Sequence, residues 1–195
     1  MGLLRPSSGK LIVDGSEIHF NQMELLQKII SHVPQQIFIS DASIKQNIAL
    51  GFEDYEINED RVLESIKNSQ LLDFVNSLEH GLATIVGENG SKLSGGQRQR
   101  IGIARALYAG GNVLVLDEAT NALDMRTEKS IVEIIKNLEE DLITIIVAHN
   151  LATIKDCDRI IILENGCLVD EGNYSEINTS QSFKRVAGEL FDKKK

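Results

Sequence analysis

Two apolar runs constrain this chain more than any other feature: Val113-Leu114-Val115-Leu116, closed by Asp117-Glu118, and Ile143 to Ala148, interrupted only by Thr144 and closed by His149. Between them Ile131, Ile134, Ile135 and Leu138 recur at helical spacing. Strand, helix, strand is the crossover of a parallel pair, because parallel neighbours need a long connection. Parallel strands covered on both faces carry no regular polar alternation, which accounts for the near-continuous apolar runs. The expectation is an α/β fold in which these two strands are buried on both faces.

The rest of the chain arranges itself around that pair. Lys10 to Ile18 reads as a hairpin about Asp14-Gly15, since Asp-Gly accepts the positive φ of a tight turn. Met23 to Ile30 is briefly helical, and Val33-Pro34 ends that segment because the residue before proline avoids helical backbone. From Glu53 to Leu78 the chain is acidic and helical. Asn58 is the expected N-cap, with Val62, Leu63 and Ile66 on one face and Leu71, Phe74, Val75 and Leu78 on another, and this stretch is the candidate inserted lobe. A helix follows Gly95-Gly96 as far as Tyr108. Arg159 to Leu163 and Cys167 to Val169 flank Asn165-Gly166 as a closing hairpin, and Ser175 to Phe191 reads as one last helix before a lysine tail.

Composition narrows the function classes. With 195 residues and a formal charge of −9, one domain with room for an inserted lobe is the default, and nucleic-acid phosphate is a poor partner. The longest apolar runs fall far short of the roughly 18 residues that cross a bilayer, and the N-terminus has no signal-peptide pattern, so a cytosolic setting is expected. Cys157 and Cys167 lack C-x-x-C spacing and read as ordinary reduced side chains.

The residues able to carry chemistry sit at strand and helix ends. Ser94-Gly95-Gly96-Gln97 precedes a helix, where unpaired N–H groups and the positive end of the dipole favour an anion and glycines allow close approach; the glycines alone fit a plain helix-starting turn better. Asp117 and Glu118 emerge at the carboxyl end of a buried strand, where open α/β sheets place ligands. One acid there suits the shell of a hard cation such as Mg²⁺ and the next suits orienting or deprotonating a water; the plainer alternative is that the pair caps the following helix. His149 ends the second strand in the same layer, and Gln35 ends a further one with a side-chain oxygen able to reach a metal or a water. Neither is informative alone.

In order, these residues resemble the nucleotide-binding domain of the ATP-binding cassette (ABC) transporters over nearly the whole length. Leu93-Ser94-Gly95-Gly96-Gln97-Arg98-Gln99-Arg100 is similar to the family signature, Val113 to Thr120 to the Walker B strand, Asn121-Ala122-Leu123-Asp124 to the D-loop, Val147-Ala148-His149 to the switch histidine and Val33-Pro34-Gln35 to the Q-loop. Thr84 to Gly90 resembles the loop that precedes the signature in exporters. Asn121 and Asn150 depart mildly from the residues usual in the family. The implied fold is a P-loop ATPase-like, mainly parallel sheet with antiparallel hairpins, a helical subdomain at about residues 41–108, core strands at about 109–172 and a C-terminal helix at 173–195.

The larger departure is that G-x-x-x-x-G-K-[ST], whose amides cradle phosphate, does not occur; Gly9-Lys10 is followed by Leu11, and Leu4 stands where the first glycine belongs. The resemblance therefore implies an N-terminally truncated copy of a longer exporter polypeptide. Loss of the central P-loop strand would bare on the order of a few hundred Å² of apolar surface, several kcal/mol at about 25 cal/mol per Å², against roughly 5–15 kcal/mol for a whole domain. The isolated chain is accordingly expected to be marginal and inactive.

In the intact protein the resemblance implies ATP hydrolysis driving export. Asp117 and Gln35 would serve Mg²⁺, Glu118 would be the base or water-orienter, Gln35 and His149 would assist at the γ-phosphate, and Ser94, Gly95, Gly96, Gln97 and Asp124 would complete a nucleotide site shared with a second such domain in a homo- or heterodimer. It places the assembly on the cytoplasmic face of a membrane, attached through a transmembrane domain, with the chain soluble and cytosolic if expressed alone. The substrate stays open among lipids, glycan-lipids, peptides and drugs. The alternative is a non-catalytic module that offers only its signature turn to a complete partner; a soluble DNA-repair or translation ATPase fits the charge and the exporter-like loop less well.

Overall fold

The computed structural model describes residues 2, 4–119, 125–138, 142–148 and 151–192. The chain divides into two units, Met1–Val147 and Ala148–Lys195.

The first unit opens with β1 (Ile12–Val13) and β2 (Ser16–Glu17), an antiparallel hairpin whose turn residues Asp14 and Gly15 have φ of 49° and 74°. α1 (Met23–Ile29) runs straight into β3 (Ile30–Val33), which Pro34 ends. The helices α2 (Ile44–Ile48), α3 (Glu59–Asn68), α4 (Leu72–Asn76) and α5 (Gly95–Ala109) follow, then β4 (Val113–Asp117), α6 (Met125–Lys136) and β5 (Ile143–Val147). β3, β4 and β5 form a parallel sheet in that order, with Val33 opposite Leu116 and Asp117 opposite Val147. Asn58 caps α3 as expected, its Oδ1 accepting from Arg61 N at 3.0 Å.

α5 is apolar on two sides because it separates two cores. Ile101, Ala104 and Tyr108 face a cluster with Ile44, Ile48, Val62, Ile66, Leu71 and Val75. Ile103 and Ala106 join Val33, Leu114, Leu116, Ile131 and Ile134 over one face of the sheet. Two sequence expectations for this unit need correction. The buried face of α3 is Val62, Ser65 and Ile66, with Leu63 47% exposed, because the lobe core lies along the i, i+3, i+4 line from Val62. And β5 is not covered on both faces: Ile143, Ile145 and Val147 are 60%, 51% and 46% exposed. The helices α5 and α6 both pack on the Leu114–Leu116 side, which leaves the alternate residues of β5 open.

The second unit holds α7 (Leu151–Ile154), β6 (Ile160–Glu164), β7 (Cys167–Gly172), α8 (Tyr174–Ile177) and α9 (Gln181–Asp192). β6 and β7 form the expected hairpin about Asn165-Gly166. The single helix expected over residues 175–191 is instead two. Asn173 caps α8, and Ser180 Oγ accepts from Phe183 N at 3.1 Å, starting α9 afresh after a weak helix-forming stretch. Ile160, Ile162, Ile177, Phe183 and Ala187 form this unit's core. Among the described residues no helix is long and apolar enough to cross a membrane.

Candidate functional site

The parallel register brings together two residues far apart in sequence. Val33 pairs with Leu116, so Gln35 and Glu118 each stand two residues beyond that pair, at the carboxyl ends of strands about 4.8 Å apart. The Gln35 amide Nε2 donates to Glu118 Oε2 at 2.6 Å. Glu118 leaves β4 in left-handed backbone, φ 49°, while its N–H donates to Val147 O at 3.0 Å. A non-glycine residue in that region costs of order 1–3 kcal/mol. The bond to β5 holds the backbone there, which takes Glu118 out of the strand's alternation.

Asp117, still within β4 and opposite Val147, shares a sheet face with Val113 and Val115. That is the face on which Ile143, Ile145 and Val147 are open. With its nitrogen on Glu118, Gln35 offers a cation its carbonyl oxygen. Among the described residues no group of three or more His, Cys, Asp or Glu side chains could cage a metal. A set of one or two carboxylates and an amide oxygen suits Mg²⁺, which keeps waters and takes phosphate oxygens; it does not suit a zinc or calcium cage.

The first turn of α5 is a second cluster. Ser94 is its N-cap: Ser94 Oγ accepts from Gln97 N at 3.2 Å, and Ser94 N donates to Gln97 Oε1 at 2.8 Å. This reciprocal cap satisfies the Gln97 amide and leaves the Gly95 and Gly96 amides without intrahelical acceptors, as every helix start does. Gly96 has a second reason to be glycine, because a Cβ there would stand 2.5 Å from Thr127 Cγ2 in the first turn of α6. The preceding loop is built by Val86 N donating to Ala42 O and by Gly87, Asn89 and Gly90 at positive φ.

The structure thus brings Gln35, Asp117 and Glu118 to one sheet end and sets Ser94 to Gln97 on the start of α5. Asp124 and His149 lie outside the described residues. Sequence reasoning assigned no role to the arginines that hold α5. Arg98 Nη1 donates to Leu93 O at 2.7 Å. Arg100 Nη2 donates to Ser130 Oγ at 2.7 Å and Nη1 to Gln70 O at 3.1 Å, tying α5 to α6 and to the lobe. Only their place in the run Gln97 to Arg100 marked them.

With this geometry established, a family model described as ABC transporter matches residues 1–121. The chain belongs to the ABC transporter family. The ABC-type transporter fsqE of Aspergillus fumigatus is 40% identical over 172 residues, covering 88% of this chain and 13% of that protein. The ATP-dependent lipid A-core flippase of Francisella novicida is 39% identical over 169 residues, covering 87% of this chain and 28% of that protein. A solved structure described as a bacterial Atm1-family ABC exporter with ATP bound superposes with a TM-score of 0.81 at 33% identity, over 97% of this chain and 33% of that one. This ABC chain therefore spans under a third of the length of the two curated relatives.

Proposed function

We propose that the chain is the Mg²⁺- and γ-phosphate-facing part of the ATP-hydrolysing domain of an ABC exporter. The observation that carries this reading is the 2.6 Å bond from Gln35 to Glu118 at the carboxyl ends of adjacent parallel strands, with Asp117 beside it. Mg²⁺ held near Asp117 and the Gln35 oxygen would neutralise charge on the phosphates. Glu118 is the base or water-orienter, its place fixed by the Gln35 amide and by the bond from its own N–H to Val147 O. His149 and Asp124 keep their assigned parts at the γ-phosphate and in the shared site.

The start of α5, presented by a second copy or a related domain, caps the γ-phosphate with the Gly95 and Gly96 amides and the Ser94 hydroxyl. The phosphate cradle has to come from a segment with the G-x-x-x-x-G-K-[ST] pattern, which these 195 residues do not contain. The open face of β5, on Asp117's side of the sheet, supports a docking place for it there. A transmembrane domain is the partner that couples hydrolysis to export. Exposed Phe38, Phe52 and Tyr55, 61%, 49% and 85% accessible, support its docking along the Gln35 segment and lobe. The rival, a module supplying only Ser94 to Gly96, leaves the Gln35–Glu118 pair without a task.

The test is to replace the 169 aligned residues of the Francisella novicida flippase with the matching part of this chain and measure ATP turnover. The chimera is expected to hydrolyse ATP. Glu118→Gln is expected to lower turnover by about 10²–10⁴ while ATP remains bound. Unchanged turnover in Glu118→Gln rejects the assignment.

A further inference from the structure

Gln35 leaves β3 into a stretch without regular structure, residues 36–40, so something other than strand pairing must set where its side chain goes. α5 supplies it. A Cβ at Gly102 would stand 2.4 Å from Ile37 Cδ1, so the helix backbone lies directly on the residue two past Gln35. One turn on, Arg105 Nη2 donates to Phe38 O at 2.9 Å and Nε donates to Asn47 O at 2.8 Å. Asn47, fully buried, holds the end of the same stretch: Oδ1 accepts from Ser40 N at 2.9 Å and Ser40 Oγ at 3.2 Å, and Nδ2 donates to Ser40 O at 3.0 Å. Burial disfavours the charged guanidinium and lowers its pKa from the ordinary value. Two carbonyl acceptors matched to a planar fork offset that cost, which a lysine's point charge would do less well.

We propose that Arg105 is a positioning residue for Gln35: by gripping the Phe38 and Asn47 carbonyls it fixes the loop that sets the Gln35–Glu118 contact. It does so from the helix that begins at Ser94-Gly95-Gly96, about 15 Å away at 1.5 Å per residue. A displacement of the phosphate-capping turn is therefore passed to Gln35 through a rigid element. The proposal rests on Gln35 and Glu118 being site residues, as read above.

The test is nuclear magnetic resonance on the full 195-residue chain without nucleotide, so that the outcome does not depend on whether ATP is hydrolysed. The Gln35 side-chain amide resonance is read in the wild type, in Glu118→Ala as the reference for a lost contact, in Arg105→Gln and in Arg105→Lys. Arg105→Gln is expected to move the Gln35 resonance most of the way to its Glu118→Ala position. It is also expected to speed exchange of the Ser40 amide at least about tenfold, with β4 and β5 amides unchanged. Arg105→Lys is expected to fall between, and decides the matter if Arg105→Gln does not fold. A Gln35 resonance unmoved by the Arg105 variants but moved by Glu118→Ala overturns the positioning role alone. So does a shift that comes only with uniformly faster exchange of β4 and β5. A resonance indifferent to Glu118→Ala removes the contact itself, and with it both the proposal and the reading beneath it.

Discussion

Glu118 shows at the scale of one residue how a site is made from two opposing demands. Strand alternation would give it a fixed sheet face, yet its φ of 49° takes it out of that alternation, and the N–H bond to Val147 O holds it there. Nothing in Asp117-Glu118 as a sequence announces a left-handed glutamate, because the cause is a neighbouring strand. Cys157 is a plainer case. Burial, then the charges of Asp158 and Asp156, push its thiol pKa up from the ordinary value, while Cys167 is exposed. A raised pKa means less thiolate at a given pH, and thiolate is the nucleophile. At pH 7–8 iodoacetamide is expected to label Cys167 ahead of Cys157, the gap closing in denaturant; equal rates in the folded chain contradict this environment.

At the scale of elements, α5 decides the most. It divides two cores, starts the signature turn and anchors the Gln35 loop, and its N-terminal end is pressed on α6 at Gly96. Thr127 is β-branched and stiff at χ1, so it yields poorly to an added methyl. Gly96→Ala is therefore expected to lose about 1–2 kcal/mol in urea unfolding, an overpacking cost that outweighs the small gain in helix propensity. Gly96→Ala with Thr127→Ala is expected to recover most of it, and a neutral Gly96→Ala argues against the close approach. The elements themselves were largely legible: apolar runs marked β4 and β5, helical spacing marked α6, and Asn58 marked the start of α3. What stayed hidden depends on partners distant in sequence. Ser65 is buried in place of Leu63 because the lobe core selects that line, and the part Arg105 plays depends on the Phe38 and Asn47 carbonyls, 67 and 58 positions away in sequence.

On the scale of the whole molecule, the open face of β5 is the feature that chemistry has to explain. Ile143, Ile145 and Val147 are about half exposed on a strand whose sheet carries Asp117 on the same side. Contiguous exposed apolar surface of this kind marks an interaction site. Motif order made the candidate site readable as a set. The meeting of Gln35 and Glu118 became visible only through the Val33–Leu116 register.

The proposed composite ATP site is tested most directly by sedimentation of the nucleotide-binding domain of the flippase chimera, expressed apart from its transmembrane domain and carrying Glu118→Gln, with and without Mg²⁺ and ATP. Monomers are expected without nucleotide, dimers with it, and no dimer when Ser94→Arg fills the first turn of α5. Monomers in saturating ATP, or dimers indifferent to Ser94→Arg, would contradict it.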